Sequence, residues 1–70
     1  MNAAANLLRM VEQIAGNLQH EVDPSAAVID HLKTFWSPEM LAMLATIYPR
    51  SDIADDKVAQ WLVGQFFGTQ

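Results

Sequence analysis

The junction His31–Met40 constrains the fold of this chain more than any other feature. There Phe35 and Trp36 close one apolar segment, and Ser37-Pro38 opens the next. Proline disfavours helical geometry in the residue before it and suits the first position of a helix. The junction therefore predicts a helix end followed at once by a helix start. Within only 70 residues, the two rings either fill the small core or anchor the chain on a partner.

Apolar residues recur at helical spacing in four segments, and strand signals are weak throughout. Asn2 is a candidate N-cap for the first segment, and Gly68 provides a stop after the last. In chain order, the segments run over about Ala4–Gln19, Asp23–Ser37, Ser37–Pro49 and Asp55–Phe67. We therefore predict an all-α fold, a single domain over residues 1–70 built as a small bundle of three to four short helices.

The apolar faces of the two middle segments are wide. The third segment is apolar around most of its circumference, so we expect it to be buried on more than one side. The second segment carries one broad face made of Val28, Ile29, Leu32, Phe35 and Trp36. Apolar faces of this width must bury more surface against other helices or a partner than the apolar stripe of a short surface helix usually does.

The composition favours a chain that is covered by a partner. Hydrophobic residues make up 51% of the sequence and charged residues 17%, whereas about a quarter of the residues in an average soluble domain are charged. The chain has no cysteine, so a disulfide cannot supplement its small core. Burial of apolar surface against another chain is the remaining common way to stabilise so small a domain, which indicates that the chain is a subunit.

Charge and hydropathy restrict the partner and the compartment. The formal net charge is −4, which disfavours nucleic acid as a partner because phosphates attract basic surfaces. The N-terminus lacks a signal-peptide pattern, and the longest charge-free run, Met40–Pro49, is about half of a membrane span. We expect a soluble, cytoplasmic protein without a membrane segment.

The chemistry-bearing residues do not form a catalytic or metal-binding pattern. His20 and His31 lack the helical spacing of metal ligands, and most carboxylates and serines stand where helix caps or polar faces explain them. We therefore predict no catalytic residue, no metal and no cofactor. Trp36 and Trp61 are either core residues or interface anchors, since Trp is enriched at binding hot spots.

Two blocks of the sequence resemble a known family. They are Leu7–Ala15 (LLRMVEQIA) and His31–Met40 (HLKTFWSPEM). The delta subunits of NAD-dependent, molybdenum-containing formate dehydrogenases join an early L-V-R-M-A-N-Q-I-A helix to an H-L-x-x-F-W-D-P-R-M-R junction at similar spacing. The combination of Arg-Met…Gln-Ile with Phe-Trp-x-Pro-x-Met is fairly specific, because helix periodicity alone does not demand it. The resemblance covers about residues 6–48.

The chain departs from the family pattern at the junction. Ser37 replaces the aspartate before the proline, and Glu39 and Leu41 replace the two arginines around the methionine. The replacements of the two arginines remove two positive charges and add one negative charge beside the proline. A surface complementary to the basic junction of the family need not accept this chain, so a different partner stays open.

The resemblance implies a non-catalytic accessory subunit of a cytoplasmic formate dehydrogenase. It would bind the large catalytic subunit and support the assembly or stability of the enzyme. The large subunits of such enzymes hold the molybdenum cofactor, iron–sulfur clusters and flavin, while the delta subunit binds none of them. The residues expected to define the fold and to bind the partner are Arg9, Met10, Gln13, His31, Phe35, Trp36, Pro38 and Met40.

If Trp36 is an anchor, its replacement by alanine is expected to weaken complex formation more than it unfolds the isolated chain. Two alternatives to the accessory subunit stay open. One is a free-standing homo-oligomeric helical protein whose apolar face is covered by a copy of itself. The other is a small acidic regulator that binds another protein.

Overall fold

The computed structural model describes residues 3–68, which form four α-helices and one 3-10 helix. These are α1 (Ala3–Asn17), α2 (Pro24–Phe35), α3 (Pro38–Ile47), the 3-10 helix (Tyr48–Arg50) and α4 (Asp56–Phe66). The predicted all-α fold is confirmed, with no strand among the described residues. The proposed cap Asn2 lies outside them. None of the helices in this range is both long and apolar enough to span a membrane.

Side-chain caps fix three of the four helix starts. The carboxylate of Asp23 accepts a hydrogen bond from the backbone N–H of Ala26 at 3.2 Å, and Ser37 Oγ accepts one from Met40 at 3.2 Å. Asp55 caps α4 by accepting from two backbone N–H groups. These caps satisfy donors that a helix start leaves unpaired. They explain why α2 and α3 begin where the Asp-Pro and Ser-Pro pairs predict.

All four helices end one or two residues before the predicted position: α2 ends at Phe35 rather than at Ser37, and α4 at Phe66 rather than at Phe67. α1 ends at Asn17, two residues before the predicted Gln19, and α3 ends at Ile47 rather than at Pro49. Pro49 has no N–H to donate to the carbonyl of Ala45, so it cannot continue the α-helical hydrogen-bond pattern. The chain tightens instead into the 3-10 helix, whose side chains still contribute to the core.

The four helices enclose one core. α1 packs against α2 and α3, and α4 packs against the same two helices. α3 packs against α1 and α4, but its buried residues Leu41, Leu44 and Ala45 share one face and Met43 is 46% exposed, so the expected burial on more than one side is not borne out. The buried side chains are Leu7, Val11, Val28, Leu32, Trp36, Leu41, Leu44, Ala45, Tyr48, Val58 and Leu62.

The broad apolar face predicted for α2 is narrower in the structure. Val28, Leu32 and Trp36 are buried, but the side chain of Phe35 is 71% exposed. The backbone leaves helical geometry at Trp36 (φ −97°, ψ 143°), and the indole belongs to the core cluster. Because the indole occupies the core beside the end of α2, the phenyl ring of Phe35 lies outside it.

Replacing Gly64 by alanine is expected to raise the free energy of unfolding, whereas replacing Gly68 by alanine is not. A Cβ at Gly64, inside α4, would meet no heavy atom within 4 Å, so Gly64→Ala is expected to raise the free energy of unfolding by roughly 0.5–1 kcal/mol through helix propensity. A Cβ at Gly68 would collide with the Gly64 carbonyl oxygen, so Gly68→Ala should not stabilise. Urea unfolding measures the free energy of unfolding of both variants. An equal gain for Gly64→Ala and Gly68→Ala would contradict the close packing at Gly68 after α4.

Candidate partner-binding surface

The exposed ring of Phe35 is the centre of the candidate surface. It stacks on the imidazole of His31, with ring centroids 4.7 Å apart and planes tilted by 45°. The two residues stand four apart on α2, so their side chains share one face of the helix. This contact holds the phenyl ring in place while most of it stays in water. A positioned, exposed aromatic ring is the kind of group that anchors protein interfaces.

A shallow depression of about 290 Å³ adjoins the two rings. The segment that follows α1 forms one side of it, and α2 forms the other. Its lining residues are Leu18, Glu21, Ala27, Asp30, His31, Thr34 and Phe35. Apolar groups and two carboxylates therefore lie around the exposed ring. We name this region, defined by those seven residues, the Phe35 surface.

The predicted residues on α1 are exposed. Arg9, Met10 and Gln13 all lie at the surface, and the side chain of Met10 is 40% exposed. Among residues 3–68, the ion pair found joins Lys57 to Asp23. The guanidinium of Arg9 therefore has no carboxylate partner in this range and is free to pair with one on a binding partner. None of the three lines the depression beside Phe35.

The junction residues take different positions. Pro38 is exposed at the first position of α3, and Met40 is half-buried against the core. Trp36 is only 8% exposed, so its indole is a core group in the isolated chain. The expected order of effects for Trp36→Ala is therefore reversed: loss of the ring is expected to act first on folding. Of the predicted set, the structure brings His31 and Phe35 into direct contact.

A polar cluster joins α2, α4 and the 3-10 helix. Ser25 Oγ donates to the Asp55 carboxylate at 2.7 Å, and the backbone N–H of Asp55 donates to Tyr48 Oη at 2.8 Å. The same carboxylate accepts from the N–H groups of Lys57 and Val58. The cluster lies beside a small cavity of about 120 Å³. Sequence reasoning placed Ser25 and Asp55 at helix starts but did not connect them to Tyr48.

The pKa values of Asp55 and Tyr48 shift in opposite directions. The hydrogen bond from Ser25 is the largest effect that lowers the pKa of Asp55 below its usual 3.8, and the backbone donors act in the same direction against partial burial. Burial raises the pKa of Tyr48 above its usual 10.0. Both shifts favour an ionised Asp55 and a neutral Tyr48 in the folded chain near pH 7.

Acid is expected to weaken the fold through Asp55. Because its pKa is lower in the folded chain, its stabilisation is complete above the unfolded pKa near 3.8 and is lost as the pH falls through the folded value. Asp55→Asn should flatten this acid-side loss, measured as the free energy of unfolding between pH 6 and pH 3. Asp52→Asn, a matched change on an exposed residue of the preceding turn, should leave the loss unchanged; equal profiles for both variants would contradict this role.

The remaining titratable groups are dispersed. Among residues 3–68, no three His, Asp or Glu side chains lie together in an arrangement that could hold a metal ion. The features that stand out among the described residues are the exposed phenyl ring of Phe35 beside the half-buried His31 and other exposed apolar side chains. That arrangement suits recognition of another protein.

Comparison with known proteins identifies a family that the chain matches. The model of the family described as the NADH-dependent formate dehydrogenase delta subunit, FdsD, matches residues 6–61 of the chain. No curated protein and no solved structure matches it. The matched range includes α2, the Phe-Trp junction and α3, and it extends beyond the two blocks that resemble the family by eye. Because the match covers most of the sequence, the chain belongs to the FdsD family of NADH-dependent formate dehydrogenase delta subunits.

Proposed function

We propose that this protein is a non-catalytic accessory subunit of a cytoplasmic NADH-dependent formate dehydrogenase. It binds the large catalytic subunit and supports the assembly or stability of that enzyme. Membership of the FdsD family supports the association with a formate dehydrogenase. The observation that carries the binding role is the phenyl ring of Phe35, which is 71% exposed and held on His31.

The energetic reason for binding is the apolar surface that the fold leaves in water. Among residues 3–68, large hydrophobic side chains are exposed at six positions, which are Met10, Val22, Phe35, Met43, Val63 and Phe67. Covering an apolar side chain contributes about 25 cal/mol per Å² removed from water. An aromatic ring that is already held in position loses little rotamer entropy on binding, so most of that gain is retained.

Within this role, the predicted residues divide into three groups. His31 and Phe35 form the centre of the contact, and Arg9, Met10, Gln13 and Pro38 are exposed positions around the bundle that add polar and apolar contacts. Trp36 and Met40 support the surface from the core side, because the indole is buried and Met40 packs on the core. They hold the junction that presents Phe35.

Co-expression with the large formate dehydrogenase subunit tests the proposal. With the affinity tag on the large subunit, the chain is expected to co-purify in a fixed ratio through size-exclusion chromatography. Omitting the chain should lower the yield or the melting temperature of the large subunit, because a ligand that binds only the native state stabilises it. Elution of the chain by itself as a discrete dimer would instead favour the homo-oligomer.

A further inference from the structure

A second concave surface lies between α3 and α4, away from the Phe35 surface. It encloses about 410 Å³, which makes it larger than the depression beside Phe35. We name it the α3–α4 groove, defined by its lining residues Ala45, Thr46, Pro49, Arg50, Val63 and Phe67. Ala45 is buried, whereas Val63 and Phe67 are 40% and 51% exposed. The groove thus presents apolar walls to the solvent.

Arg50 gives this groove a specific charge. It is an exposed residue and the only charged one that lines the groove. The ion pair found among residues 3–68 is formed by Lys57 and Asp23, so the guanidinium of Arg50 has no carboxylate partner within that range. A guanidinium beside apolar walls favours a carboxylate, because its planar donors match both oxygens.

We propose that the α3–α4 groove binds a segment of the large formate dehydrogenase subunit in which an apolar side chain stands next to a carboxylate. This inference rests on the proposed function and adds a second contact, with a stated chemistry, to the Phe35 surface. The apolar side chain covers Val63 and Phe67, and the carboxylate pairs with Arg50. A second copy of this chain is a poorer occupant, because two chains with a net charge of −4 each repel one another.

Charge reversal at Arg50 provides the test. The unchanged chain and the variants Arg50→Glu, Arg50→Lys, Phe67→Ala and Phe35→Ala are each titrated onto the purified large subunit at low and high salt. Lys33→Glu is the matched control, because Lys33 is an exposed cation on α2 outside both surfaces and its reversal changes the net charge equally. Thermal melting of each variant shows that it is folded.

The inference predicts that Arg50→Glu weakens binding at least tenfold at low salt and that the deficit shrinks at high salt. Arg50→Lys should recover part of the affinity, Phe67→Ala should weaken binding severalfold, and Lys33→Glu should change it less than twofold. If Arg50→Glu binds like the unchanged chain while Phe35→Ala does not, the groove is not a contact and the proposed function stands. If the unchanged chain does not bind the large subunit, both proposals fail. If the unchanged chain forms a dimer and Arg50→Glu disrupts that dimer, the groove binds a second copy of this chain and the inference is overturned.

Discussion

Replacing Trp36 by alanine is expected to lower the free energy of unfolding by about 3–5 kcal/mol, the usual range for removing a large aromatic side chain from a core. The indole is 8% exposed and belongs to the same core cluster as Leu32 and Leu44, both of which are 0% exposed. A domain of this size holds roughly 3–5 kcal/mol of stability. The variant should therefore be largely unfolded at 25 °C, as measured by circular dichroism and urea titration.

The adjacent aromatic residue supplies the matched control. Phe35 is exposed, so Phe35→Ala is expected to change the free energy of unfolding by about 0.5 kcal/mol or less. Trp36→Phe keeps a ring in the core and should be intermediate between the unchanged chain and Trp36→Ala. If Trp36→Ala melted like the unchanged chain and lost only its partner, the indole would be an anchor, and its place in the core would be refuted.

Phe35→Ala is expected to have its large effect on complex formation. Truncation of an aromatic hot spot typically weakens binding by about 2 kcal/mol, a factor of roughly 30 in the dissociation constant. The ring is 71% exposed and rests on His31 at 4.7 Å, so it is preorganised for contact. Titration of the variant onto the purified large formate dehydrogenase subunit, by calorimetry or biolayer interferometry, measures the loss.

A second exposed apolar residue serves as the comparison for that titration. Val22 lies in the turn after α1 and is fully exposed, but it does not line the depression beside Phe35. Val22 belongs to the exposed apolar surface but lies outside the Phe35 surface, so Val22→Ala is expected to weaken binding much less than Phe35→Ala does. Equal affinities for Phe35→Ala and the unchanged chain would show that the partner does not contact the Phe35 surface.

Local signals account for the part of the fold that the sequence predicts well. Asp23-Pro24 and Ser37-Pro38 each place a capping side chain directly before a residue suited to the first helical position. Both helices begin at those prolines in the structure. The helical spacing of Leu7, Val11, Ile14 and Leu18 likewise predicts one apolar stripe, of which Leu7 and Val11 are buried and Ile14 and Leu18 are partly buried. These features depend on neighbours within one or two turns, which a single sequence contains.

The features that were not predictable depend on contacts between distant segments. Phe35 and Trp36 are both apolar and adjacent, and only the exit of the backbone from helical geometry at Trp36 decides which ring enters the core. The hydrogen bond between Ser25 and Asp55 joins residues 30 positions apart. Arg50 gains its apolar surroundings only because α4 places Val63 and Phe67 beside it.

Hydrogen–deuterium exchange tests the central claim most directly, by comparing the chain alone with the chain bound to the large formate dehydrogenase subunit. We predict slower exchange in the complex for peptides that cover residues 27–36, because docking on Phe35 suppresses local opening of α2. Exchange in a stable complex that is unchanged over those residues would contradict docking through the Phe35 surface.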